Sequence, residues 1–276
     1  MVRRIDRLGL KVFILIIACI AGPSAGCNRA RQNSGARSKK VATVSVAAAA
    51  DLKFALDDIV TAFTKTSPNT SVKVTYGSSG NFFSQLSNRA PFDAFFSADI
   101  EYPHKLIERG LASKGSEFHY ATGRIVVWVP NQSQLDLEKL GIQALIAPSV
   151  KKIAIANPAH APYGRAAEAA MKEMGVYERA KDRLVLGENI AQTAQFVQTG
   201  AADIGIVALS LAMGPNMKGK GRYWEVPLDS YPRMDQGGVV LNWAQDPKAA
   251  RQFVDFIIGP EGKTILRSYG FSTAGE

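Results

Sequence analysis

From Thr43 onward the chain alternates short apolar runs with segments of helical spacing, and this alternation narrows the fold more than any other feature. TVSVAA (43–48) reads as a strand, Leu52, Leu56, Ile59, Val60 and Phe63 recur on one helix face, and SVKVTY (71–76) is a strand again. The pattern continues through FDAFFSAD (92–99), a helix near 102–109, RIVVWVP (124–130), KKIAIANP (151–158) and a helix from about 164 to 174. It then runs through LVLGE (184–188), a helix near 191–198, ADIGIVA (202–208) and GGVVLNW (237–243). Two helices close the chain, 246–258 and 259–271, the second with Pro260 in its first turn. Such alternation predicts an α/β architecture of mainly parallel sheets flanked by helices. Phe82, Phe83, Phe92, Phe95 and Phe96 lie on runs expected to be buried.

The first 40 residues are of a different kind. Arg3, Arg4, Arg7 and Lys11 precede the apolar run VFILIIACIA (12–21), which is too short for an ordinary bilayer-spanning helix of about 20 residues. With GPSAG following, residues 1–26 read as a signal peptide and the protein as exported. Ser24-Ala25-Gly26 before Cys27 resembles the lipobox of bacterial lipoproteins, with serine where leucine is preferred, so Cys27 is the candidate for acylation against simple cleavage and release. Residues 27–40 form a polar linker.

Both cysteines, Cys19 and Cys27, fall in this leader, which leaves the body without disulfide or thiolate chemistry. Of the net charge of +9, residues 1–40 carry +8, so the body is nearly neutral and its charge gives no reason to expect a nucleic-acid partner.

In open α/β sheets, ligands bind where strand C-termini meet helix N-termini, because unpaired N–H groups and helix dipoles converge there. Five junctions qualify: AAAADLK (47–53), YGSSGNF (76–82), PAHAPYGR (158–165), GENIAQ (187–192) and GIVALS (205–210). The GSSG of the second admits a nucleophilic serine, an anion cradle or a capped turn. A G-x-S-x-G elbow is absent, since Tyr76 stands two before Ser78 and Asn81 two after Ser79. His104, His119 and His160 are widely spaced and have no metal-site pattern, so surface or capping roles are expected for them. GPEGKT (259–264) lacks the spacing of a phosphate-binding loop. Asp93 and Asp99 are expected to cap or turn, Lys53 and Arg165 to be solvated on helix surfaces, and Tyr163 to pack or to bind.

The junctions do offer neutral hydrogen-bond donors: serine hydroxyls, glycine-flanked amides and helix N-termini. Such donors suit a tetrahedral oxyanion. At roughly 1.5–3 kcal/mol per charge-assisted bond, about six would gross ~9–18 kcal/mol, against about 12 kcal/mol net for nanomolar binding.

At these junctions the chain resembles the periplasmic molybdate-binding proteins of bacterial ABC importers. The resemblance runs from about Val41 to Phe271, in the order AAAADLKFAL, YGSSGNFFSQL, APFDAFFSAD, NPAHAPYGRAA, LGENIAQTAQFV, GIVALSLA and RSYGF. It implies a two-lobed periplasmic binding protein fold of type II with the ligand between the lobes. Lobe one would hold residues 41–122 and 229–276, and lobe two 123–228. It also implies oxyanion donors at Asp51, Ser79, Tyr163 and Ile190, with Ala50, Leu52, Ser78 and Ala208 as further candidates.

Two departures stand out. The first junction offers Ala50 and a carboxylate rather than a neutral polar side chain. Ala208 stands where some members have tyrosine, a hydroxyl that Tyr163 is placed to replace. Asp51 is expected to cap the helix 52–63, turning its carboxylate onto backbone amides; the alternative has it face the cleft. The function expected is capture of molybdate or tungstate for delivery to a membrane permease, by a monomer with no cofactor and no catalytic residue. The competing readings are a receptor for sulfate, phosphate or another anion, and a secreted serine hydrolase using Ser78 or Ser79, for which no base stands at a recognisable spacing.

Overall fold

The computed structural model of the protein describes residues 41–273. The expected signal peptide 1–26, linker 27–40 and acylated Cys27 lie outside these residues. Ten strands are present: β1 (Ala42–Ala49), β2 (Thr70–Gly77), β3 (Ala94–Ser97), β4 (Phe118–Gly123), β5 (Ile125–Pro130), β6 (Ile153–Ala156), β7 (Leu184–Gly187), β8 (Ile204–Ala208), β9 (Gly221–Glu225) and β10 (Met234–Val240). They form two five-stranded sheets, in the orders β2-β1-β3-β10-β4 and β7-β6-β8-β5-β9. The chain passes from the first sheet to the second at Arg124 and returns between Glu225 and Met234.

Neither sheet is mainly parallel; both are mixed. β1 pairs parallel with β2 and β3, while β10 runs antiparallel to β3 and β4. In the second sheet β6 pairs parallel with β7 and β8, while β5 runs antiparallel to β8 and β9. The reason lies in the crossings. β1, β2, β6 and β7 arise within one sheet and point their C-termini toward the line where the sheets meet. β5 and β10 enter from the other sheet, so they start at that line and run the opposite way.

Each sheet has its own core. In the first, Val44, Val46, Phe96 and Tyr120 pack with Leu56, Ile59 and Phe63 from the helix Lys53–Thr66 and with Phe253 from the helix Pro247–Ile258. The amphipathic spacing of 52–63 is satisfied on this face. Phe82 and Phe95 are buried on the sheet's other side, with Phe83 and Phe92 half-buried against them. The second core gathers Val126–Val129, Ile153–Ala156 and Ile204–Ala208 with Ala167, Ala170 and Met171 of the helix Pro162–Glu173. Among the described residues, no helix is long and apolar enough to cross a membrane.

Candidate functional site

Four of the five junctions meet around one small cavity between the sheets. Ala49, Ala50 and Asp51 reach it from the end of β1, Gly77, Ser78 and Ser79 from the end of β2, and Ala98 from just beyond β3. Ala161, Pro162 and Tyr163 come from the loop after β6, and Ile190 from the helix after β7. The cavity is small, about 10 Å³ in volume, which leaves room for no more than one compact guest. Of the eight sequence-predicted positions, Ala50, Asp51, Ser78, Ser79, Tyr163 and Ile190 line this cavity. Leu52 and Ala208 do not: Leu52 is packed in the first core, and Ala208 ends β8 paired with Ile125.

Several of the lining residues stand at helix starts. First-turn amides of a helix have no acceptor in their own helix, and here three helices begin at the cavity. In Ile190–Gln198 the Asn189 side chain takes the amides of Ala191 (3.0 Å) and Gln192 (3.1 Å), which leaves the Ile190 N–H uncapped. In Ser79–Ser87 the Gly80 amide goes to the His160 carbonyl (2.9 Å), and that of Ser79 stays at the cavity. In Pro162–Glu173, Pro162 has no N–H and Gly164 bonds back to Ala161 (3.0 Å), which leaves the Tyr163 N–H. The Ser79 hydroxyl accepts from the Ala98 amide (3.0 Å), so its one proton is free for donation.

Asp51 departs from the expected cap. The helix Lys53–Thr66 has no side-chain cap bond. Instead the carboxylate Oδ2 accepts from the Tyr163 hydroxyl (2.9 Å) and from Gln236 Nε2 (2.8 Å), and Gln236 Nε2 also donates to the Tyr163 oxygen (3.0 Å). The Tyr163 hydroxyl is therefore turned to Asp51 rather than standing in for a tyrosine at 208, and what Tyr163 holds at the cavity is its main-chain amide. Gly123 makes the cluster possible, because a Cβ there would collide with Tyr163 Oη and Gln236 Nε2. Asp51 is 1% exposed, and its Oδ1 has no hydrogen-bond partner among the described residues. Burial pushes the Asp51 carboxyl up to about 6, outweighing the hydrogen bonds from Gln236 and Tyr163 that favour the anion. Burial likewise holds the Tyr163 and Tyr120 phenols well above their usual range.

Comparison with known proteins places this arrangement. The profile of the bacterial extracellular solute-binding proteins matches residues 44–272. The chain belongs to that family. It is 37% identical over 230 residues to the molybdate-binding protein ModA of Rhodobacter capsulatus, covering 83% of this chain and 88% of that one. It is 37% identical over 232 residues to ModA of Azotobacter vinelandii, covering 84% and 90%. The solved structure of the Azotobacter vinelandii periplasmic molybdate-binding protein superposes with a TM-score of 0.77 at 31% identity, over 83% of this chain and 98% of that one. The sulfate-binding protein SubI of Mycobacterium tuberculosis shares the two-lobed fold at 13% identity, with a TM-score of 0.66 over 85% of this chain and 88% of that one.

In this solute-binding protein the two sheets are also joined directly beside the cavity. Ser78 Oγ lies 3.0 Å from His160 Nδ1, whose Nε2 is 3.7 Å from Glu188, and Asn81 donates to the same Glu188. His160 is thus an inter-sheet contact rather than a surface residue, and a base does stand beside Ser78, 82 positions along the chain. Arg165, expected to be solvated, pairs with Asp99 (2.6 Å) and donates to the Tyr102 hydroxyl (3.2 Å) across the same joint. Asp93, expected to cap or turn, instead ties distant segments together, accepting from the amides of Ser45 and Gln245 (2.7 Å each), 48 and 152 positions away. Among the described residues, no cluster of three or more His, Cys, Asp or Glu is arranged to hold a metal ion.

Proposed function

We propose that this protein captures molybdate or tungstate in the cavity between its lobes and delivers it to an ABC permease. The observation that carries the reading is the convergence of the Ser79 hydroxyl and the Ser79, Tyr163 and Ile190 amides, drawn from both sheets, on a space for one compact guest. Uncharged donors fixed on helix N-termini hold a dianion without an adjacent full positive charge. The relatives at 37% identity are molybdate-binding proteins, which supports this ligand over sulfate or phosphate.

Residues 41–122 and 229–276 would act as one lobe and 123–228 as the other, closing as ligand bonds to both favour the closed form. The setting is the periplasm, reached through the 1–26 signal peptide, with Cys27 as the acylated tether and the carrier a monomer. Chemistry at Ser78 is not part of this reading. Ser78 and His160 meet only where the sheets touch, so the pair is assembled only while the lobes are closed.

Isothermal titration with molybdate, tungstate, sulfate and phosphate tests the ligand. Strong heats are expected for the first two and weak ones for the others, and a preference for sulfate or phosphate would overturn the assignment. Turnover of an activated ester that disappears in Ser78→Ala would overturn the non-enzymatic reading.

A further inference from the structure

We propose that oxyanion binding is coupled to uptake of one proton at Asp51, which meets the ligand as a neutral carboxylic acid donating from Oδ1. The inference rests on the oxyanion reading above and adds to it the protonation state of the site. Asp51 lines the cavity and is 1% exposed. One of its oxygens is committed, since Oδ2 accepts from both Tyr163 and Gln236. The other, Oδ1, is buried and has no partner in hydrogen-bonding geometry among the described residues, although the main-chain amides of Asp51 and Leu52 lie close enough to the carboxylate to favour its anion somewhat. A bare carboxylate oxygen beside a dianion in a dry cavity is repelled by several kcal/mol, whereas the same oxygen carrying a proton is a donor. A single proton therefore turns the least favourable element of the lining into one more hydrogen bond of the kind every other wall provides.

The proton has no competing home in contact with Asp51. The groups facing it are Tyr163 on the helix Pro162–Glu173, Tyr120 on β4, Gln236 on β10 and Ser210, whose hydroxyl donates to the Asp51 carbonyl (2.8 Å). Gln236 and Ser210 do not titrate, and both phenols are held protonated by burial. Charged side chains at the ends of the flanking strands pair with one another: Arg124 with Glu225 (2.9 Å), and Asp235 with Arg233 (2.7 Å) and His119 (3.5 Å). Beside the cavity His160 is reached through Ser78, with Glu188 behind it, and Asp99 follows the lining residue Ala98 and pairs with Arg165.

The sign follows from which state holds the proton. The carboxyl binds protons more tightly in the closed, loaded form than in an open, solvated one, so binding is strongest at low pH. Affinity then falls as pH rises toward the pKa of the loaded form, which the ligand's charge sets above the value of about 6 that burial gives in its absence. Molybdate is fully deprotonated between pH 6 and 8, so a pH dependence in that range belongs to the protein.

The test is titration calorimetry of the purified protein with molybdate from pH 6 to 8, in two buffers of different ionisation enthalpy. The expected result is proton uptake that is largest at the acid end of this range and declines as pH rises, with binding weakened by up to tenfold per pH unit where uptake is greatest. Asp51→Asn, neutral at every pH, is expected to bind without proton uptake and with a flat profile, while His160→Asn keeps the uptake. Binding with no proton uptake in the unmodified protein, or uptake that survives Asp51→Asn and vanishes in His160→Asn, overturns the inference and leaves the ligand assignment standing. Silence toward molybdate and tungstate at every pH overturns both.

Discussion

Ser79 and Tyr163 make opposite uses of a hydroxyl at the same cavity, and their variants separate the two. The Ser79 oxygen accepts from the Ala98 amide and keeps its proton for a guest, whereas the Tyr163 proton goes to Asp51. Ser79→Ala removes one charge-assisted bond, ~1.5–3 kcal/mol, and is expected to weaken molybdate binding roughly tenfold to a hundredfold. Tyr163→Phe keeps the main-chain amide and is expected to weaken it less. Titration of both variants at pH 6 gives the order, and a Tyr163→Phe loss exceeding that of Ser79→Ala would contradict the assigned roles. The junctions that hold Ser79 and Ile190 were legible because a helix start after an apolar run announces free amides in the sequence itself, and the family resemblance singled out the two residues within them. Gln236 was not, since it sits one residue before the strand signal GGVVLNW and acts on Asp51, 185 positions away. The Ser78–His160 contact was hidden for the same reason. Spacing along a chain carries no record of which junctions two separate sheets will press together.

At the scale of the element, helix starts carry both stability and function. Asn189 caps Ile190–Gln198 through two bonds to its side chain; Asn189→Ala is expected to cost about 1 kcal/mol of folding stability, read by chemical denaturation. The helix Ser79–Ser87 instead leans on the other sheet. A Cβ on Gly80 would stand 2.6 Å from the His160 carbonyl, a clash that exists only while the sheets are together. Gly80→Ala is therefore expected to leave the ligand-free protein at least as stable, since alanine is the better helix former by about 1 kcal/mol. It should also weaken binding at least tenfold by obstructing closure, and calorimetry showing undiminished affinity would refute this. Most strands were readable from their apolar runs, but β4 and β9 were not. FHYATG mixes histidine, threonine and glycine into a short run, and GRYWE is an edge strand with no fully buried residue, so neither carries the apolar signal that marks a buried strand. Strand direction was equally out of reach, because β5 and β10 take theirs from the crossing between sheets rather than from their own composition.

For the whole molecule the question is what holds the two lobes together. The direct contacts between them are of two kinds: Arg165 and Asp99 keep 40% and 27% of their side-chain surface, and such pairs contribute about 1 kcal/mol or less, while Ala49, Ala50 and Ala98 of the first lobe are buried in the second core with Phe54 and Tyr76 packed against it. The Asp51–Tyr163 bond is dry, but it leaves Oδ1 without a partner, a desolvation cost that offsets its gain. On the proposed function, ligand bonds reaching both lobes add to these contacts and shift the balance toward the closed form. Three consequences can be measured on one sample. Small-angle scattering should show the radius of gyration falling when molybdate is added. The unfolding free energy should rise by about 2.7 kcal/mol at a free ligand concentration one hundred times Kd. Arg165→Ala, which removes the outer ion pair and touches no cavity wall, should weaken binding by no more than about fivefold, mostly through faster release. A scattering profile that is already compact without ligand and unchanged with it would mean that the protein contacts suffice. In that case the cavity walls would be preformed, and the energetic role assigned here to the oxyanion would pass to the Arg165, His160 and Tyr163 bonds.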